Sequence, residues 1–135
     1  MNSYDAARLL AKALRESSEV KAYREAGEAL KNDESARGML RDLRVEQFKL
    51  QKQKLSGLEI APEQEEKLEK LSQIVGMNLT AKRLMEAEYR LGVMMADIQK
   101  IIAEATGDLF DADLLGLSAI ADELREELGE DDGEA

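Results

Sequence analysis

The sequence predicts an all-α protein, an antiparallel helical hairpin or bundle organised around one long helix in its C-terminal half. Three observations carry this. The side chains Ile74, Met77, Ala81, Leu84, Glu88, Leu91, Met95, Ile98, Ile102 and Ala105 follow one another at alternating steps of three and four, the spacing that lines residues along one helical seam. From Pro62 to Ala105 there is no internal proline, and the only glycines are Gly76 and Gly92. No segment alternates apolar and polar residues for long enough to suggest a strand. A continuous helix over 62–105 spans on the order of 65 Å at about 1.5 Å per residue. That exceeds a small domain's diameter, so other helices must cover it.

The remaining elements follow in chain order. Asn2 to Glu16 reads as an amphipathic helix with Ala6, Leu9, Leu10, Ala13 and Leu14 on one side. Ser3 is its expected cap, and Asp5 suits the positive end of the helix dipole. Ser17 and Ser18 interrupt, because serine competes for backbone hydrogen bonds. A second short helix is expected from Glu19 to Lys31, with Val20, Tyr23, Ala26, Gly27 and Leu30 on its apolar side. Asn32 or Asp33 caps the third, Glu34 to Leu55, whose seam is Ala36, Leu40, Leu43, Gln47 and Leu50, flanked by Met39 and Phe48. Ser56-Gly57 ends it, since glycine takes the left-handed position after a helix without steric cost. Pro62 then opens the long helix, where its missing N–H costs nothing. Helix, short loop, helix implies an antiparallel hairpin. Thr106-Gly107-Asp108 is a stop, and Asp111 to Leu128 fits a further short amphipathic helix. Domain organisation is therefore expected as a helical domain over 1–110, a helical extension over 111–128 and a disordered acidic tail over 129–135.

Composition narrows the chemistry. The chain of 135 residues contains no Cys and no His, which excludes disulfides, thiolate metal sites and imidazole catalysis. No run of about 18 apolar residues offers a membrane span, and Met1 to Arg8 lacks an apolar signal core. The expected location is the cytoplasm. The net charge is −10, of which Asp122 to Ala135 carries −7, leaving −3 for the rest. An acidic chain is a poor phosphate binder on average, yet the third helix is basic over 37–54, where Arg37, Arg41, Arg44, Lys49, Lys52 and Lys54 oppose only Asp42 and Glu46.

Arg37, Arg41 and Arg44 share a face through their four- and three-residue spacing, and are the candidate RNA contacts. The alternative is a solvated face, or salt links to the Glu63–Glu69 segment across the hairpin loop. Glu88 interrupts the central seam. Its alternatives are a buried acid or metal ligand, or a register-setting residue that meets Lys or Arg or reaches solvent. Glu65, Glu66 and Glu69 cluster at a helix start, where acids are favoured without any metal. No phosphate loop, nucleophile elbow or acid–base dyad appears, so no catalytic residue, metal or cofactor is assigned and the expected class is non-enzymatic.

The stretches "YDAARLLAKALRESSEVKAYREAGEAL" (Tyr4 to Leu30), "DESARGMLRDLRVEQFKLQKQKLSGLEI" (Asp33 to Ile60) and "LMEAEYRLGVMMADIQKII" (Leu84 to Ile102) resemble the YheA/YmcA/YlbF (Com_YlbF) family of small helical bacterial proteins, most closely its YheA-like branch. The resemblance implies an all-helical protein that self-associates. It also implies a protein–protein regulatory role, since YlbF and YmcA relatives act in competence, sporulation and biofilm formation through a complex that influences RNase Y. Some relatives carry iron–sulfur clusters on cysteines, which this cysteine-free chain does not provide. The segment beyond Phe110 looks like an extension outside the family core.

The seam itself gives an interface expectation. The third helix is about half as long as 62–105; the two N-terminal helices can cover part of the remaining stripe and a second copy the rest, so Leu84, Leu91, Met94, Met95, Ile98, Ile101 and Ile102 are expected in the interface of a homodimer or an assembly of dimers. Direct RNA binding through the basic helix 37–54 is the alternative function.

Overall fold

A computed structural model describes residues 1–109 and 116–129 of the chain. The described residues form six α-helices and no strand: α1 (Ser3–Glu16), α2 (Ser18–Lys31), α3 (Glu34–Leu55), α4 (Pro62–Met77), α5 (Leu79–Thr106) and α6 (Leu117–Glu127). They fall into two compact units, Met1–Met94 and Met95–Ala135, with the division inside α5.

In the first unit, local chemistry sets the boundaries. Asn2, rather than Ser3, caps α1, its Oδ1 accepting from the Asp5 N–H at 2.9 Å. Asn2 has the extended backbone an N-cap needs, whereas Ser3 is already helical. Ser17 makes the break between α1 and α2. Its hydroxyl donates to the Leu14 carbonyl at 2.6 Å and accepts from the Val20 N–H at 3.2 Å, closing one helix and opening the next. Asp33 caps α3 through the Ala36 N–H at 2.9 Å. At the other end of α3, Leu58 N–H donates to the Gln53 carbonyl and Gly57 N–H to the Lys54 carbonyl, with Gly57 at φ 75°. This is the paired closure that requires a left-handed residue, so a side chain at 57 would strain it.

The long helix over 62–105 is two helices. Asn78 leaves the helical region at φ −88°, ψ 115°, and its Oδ1 accepts from the Ala81 N–H at 3.0 Å, which caps α5. Its amide also reaches the Met39 sulfur at 3.8 Å. Asparagine offers the backbone a local partner that competes with the helical ladder, and here it wins. The seam phase shifts at that point: Leu68, Leu71 and Val75 turn toward the core, while Ile74 and Met77 are 49% and 85% exposed. Asn78→Ala removes the cap and is expected to cost about 1 kcal/mol of stability, read as a lowered denaturation midpoint by circular dichroism. An unchanged midpoint contradicts the capping role.

The hairpin is antiparallel, as the cross-links between α3 and the chain from α4 onward show: Gln53 pairs with Gln64, Glu46 with Lys67 and Met39 with Asn78, positions rising on one side as they fall on the other. The core is Ala36, Leu40, Leu43, Val75, Ala81 and Leu84, with Ala26, Leu30, Met39, Leu68, Leu71 and Met85 packed against it. It holds no aromatic ring, so close packing of aliphatic side chains supplies its cohesion.

The second unit contributes the end of α5 and α6. Met95 and Ile98 are half-buried, and Ile101 and Ile102 are 67% and 55% exposed. The expected helix over 111–128 is observed as Leu117–Glu127. Its 111–115 portion and most of the expected acidic tail, 130–135, lie outside the described residues.

Candidate functional site

Within the first unit, α2, α3 and α5 border an open groove of about 590 Å³, lined by Tyr23, Leu30, Arg37, Leu40, Arg41, Arg44, Val45, Phe48, Leu84 and Glu88. The three expected arginines therefore come together on one surface. Their engagements differ. Arg44 grips Glu88 through both guanidinium nitrogens, at 2.6 and 3.3 Å. Arg37 donates to the Lys31 carbonyl at 2.8 Å, where the negative end of α2's dipole favours a cation. Among the described residues, Arg41 has a 3.8 Å ionic contact with neighbouring Asp42 and no other ion pair.

Glu88 thus interrupts the seam as one half of an ion pair. Both side chains remain nearly half exposed, so the pair is worth at most about 1 kcal/mol. Its effect is on position: a planar, bidentate fork fixes α5 against α3 in one register. Among the described residues there is no buried side-chain polar atom without a partner, and no group of three or more acidic side chains placed to hold a metal ion.

Phe48 and Tyr23 are the residues whose place here sequence reasoning missed. Phe48 is 69% and Tyr23 37% exposed, beside the arginines. The signal was present: Arg37, Arg41, Arg44 and Phe48 continue at four, three and four residues, the same helical face.

Among the described residues no basic side chain of α3 pairs with the Glu63–Glu69 segment, and the hairpin is bridged instead by a link of the opposite polarity. The acid is Glu46 on α3, and Lys67 on α4 is the base, at 3.1 Å, with Lys49 adding a second contact at 3.5 Å. The hydrogen bond from Lys67 holds the Glu46 carboxyl below its ordinary pKa, aided by the charges of Lys49 and Lys67 and opposed by desolvation. A carboxyl lowered in the folded state stabilises the fold above its unfolded pKa, about 4.3. That contribution is lost as pH falls through the lowered folded value. Glu46→Gln is therefore expected to be less stable than the unmodified chain at pH 7, with the gap closing on acidification below about pH 4. Denaturant titrations at both pH values check this; a gap that widens in acid contradicts it.

The expected interface residues divide. Leu84 belongs to the first unit's core at 7% exposure. Leu91 and Met94 are half-buried at the end of that unit. Met95, Ile98, Ile101 and Ile102 lie in the second unit, the last two mostly exposed. No helix among the described residues is long and apolar enough to cross a membrane.

Against known proteins, residues 3–106 match the family model Com_YlbF, described as control of competence regulator ComK, YlbF/YmcA. Among curated proteins, the chain is 37% identical over 109 residues to a UPF0342 protein of Desulfitobacterium hafniense, covering 81% of this chain and 88% of that one. It is 40% identical over 102 residues to a UPF0342 protein of Symbiobacterium thermophilum, covering 76% and 91%. A solved structure titled as a protein of unknown function (DUF964) from Bacillus stearothermophilus superposes with a TM-score of 0.68 at 27% identity, over 78% of this chain and 93% of that one. Helix α6, at Leu117–Glu127, falls beyond the residues the family model matches.

Proposed function

The chain belongs to the Com_YlbF family, and on that premise we propose that it is a non-enzymatic regulatory protein that acts by binding other proteins and that self-associates through the C-terminal part of α5. The family description, control of a competence regulator, supports a regulatory role. The observation that carries self-association is the apolar face Met95, Ile98, Ile101 and Ile102, which leaves two isoleucines more than half exposed. Apolar side chains repeated on one helical face are a docking surface, and a second copy offers the same surface in return. A partner in an RNase Y-type complex is the regulatory context this reading extends to, with effects on RNA processing, competence, sporulation or biofilm formation. Affinity purification of the full chain from its native cell extract tests it. A protein partner retained after nuclease treatment is expected; recovery of RNA alone, with no protein partner, contradicts it.

Direct RNA binding is the second reading, favoured by the exposed Phe48 ring beside Arg37, Arg41 and Arg44. Phosphate contacts make binding fall steeply with salt, so RNA affinity that is flat between low and moderate salt removes this reading.

A further inference from the structure

We propose that the basic-rimmed groove between α2, α3 and α5 receives helix α6 of a second copy of this chain, a contact distinct from the α5 face. The groove has an aliphatic floor at Leu40 and Val45, the exposed ring of Phe48 and a guanidinium rim of Arg37, Arg41 and Arg44 opposed by the single carboxylate of Glu88. Such a surface matches an amphipathic helix with an acidic polar side.

The chain carries one. On α6 and its cap, Leu117, Ile120, Leu124 and Leu128 follow at three, four and four residues, and all are about half exposed or more, at 49%, 54%, 52% and 74%. Asp122, Glu123, Glu126 and Glu127 supply the acid, and the only base, Arg125, is already paired with Asp122 at 2.8 Å. The lengths agree. Arg37 to Phe48 on α3 and Leu117 to Leu128 each cover eleven residue steps, about 17 Å of helix. Nucleic acid fits the floor less well, because Leu40 and Val45 offer bases no stacking surface and leave only the rings of Phe48 and Tyr23 for it. Every copy presents both surfaces, so two copies exchange helices reciprocally.

The test uses the full chain and a fluorescein-labelled synthetic peptide of residues Gly116–Ala135. Saturable binding is expected, weaker by about tenfold for full-length Arg37→Glu/Arg41→Glu and for a Leu124→Asp peptide. Because Arg37 also holds α2, Phe48→Asp is the second groove variant; its ring is already exposed, so circular dichroism should be unchanged while peptide binding falls. The absence of cysteine permits a cross-link. Full-length Phe48→Cys mixed with Leu124→Cys is expected to give a mixed disulfide dimer on oxidation, faster than the pair Glu65→Cys and Leu124→Cys. The proposal is overturned by non-saturable binding, by groove variants that bind as well as the unmodified chain, by a mixed disulfide forming no faster than that of the Glu65→Cys and Leu124→Cys pair, or by a single-stranded RNA displacing the peptide at lower concentration than unlabelled peptide does. Sedimentation of the groove variants reads the α5 contact separately, so the two associations fail independently.

Discussion

Leu43→Ala is expected to destabilise the protein by about 3 kcal/mol, within the range for truncating a fully buried leucine. Leu43 is 1% exposed and shares the core with Leu40, Val75 and Leu84. It lies one helical turn from the α3 residues that border the groove, so its loss removes dispersion contacts to α3, α4 and α5 together. The cavity term is large because no aromatic neighbour is present in the cluster to swing into the gap. Urea denaturation followed by circular dichroism reads the effect as a lower midpoint with an unchanged slope. A loss below about 1 kcal/mol contradicts the packing described, since that is the cost of a peripheral site. Phe48→Ala, at 69% exposure, is the matched control and should leave the midpoint close to that of the unmodified chain.

In a chain that also carries Phe48→Asp and so lacks the groove contact, Met95→Asp combined with Ile98→Asp is expected to weaken dimerisation at least a hundredfold, about 3 kcal/mol. Both positions lie on the α5 face that carries Ile101 and Ile102. Burying that face against a second copy gains roughly 25 cal/mol per Å² of apolar area removed from water, reduced by the cost of association. Two carboxylates in the same contact must be desolvated or neutralised, so the contact opens instead. Far-UV circular dichroism confirms that the variant keeps its helices, and sedimentation reads its mass. A helical variant that remains a dimer at the affinity of the chain carrying Phe48→Asp alone places the contact elsewhere.

Sequence periodicity located the helices well because their ends carry strong local chemistry. Ser17, Asp33, Ser56-Gly57 and Pro62 each act within one turn, and the observed boundaries fall on them. Asn78 went unread for the opposite reason. The three-four repeat runs unbroken across it in sequence, and its two contacts, the cap on Ala81 and the amide against Met39 of α3, are visible only in the fold. The same phase shift explains why Val75 is buried while Ile74 is not. At the groove, the arginine face of α3 was legible from spacing, but Glu88 as the partner of Arg44 was not, because a contact over forty-four residues needs the fold. Phe48 belonged to that same face by spacing, yet its place beside Tyr23 depends on how α2 packs against α3.

Sedimentation equilibrium of full-length Phe48→Asp, which removes the groove contact and leaves the α5 face intact, across low to high micromolar concentrations, reads association through α5 alone and tests that central claim most directly. The expected result is a mass of about twice the 15.0 kDa chain, or a multiple of that dimer, dissociating on dilution. A single species of one chain's mass throughout that range contradicts the account.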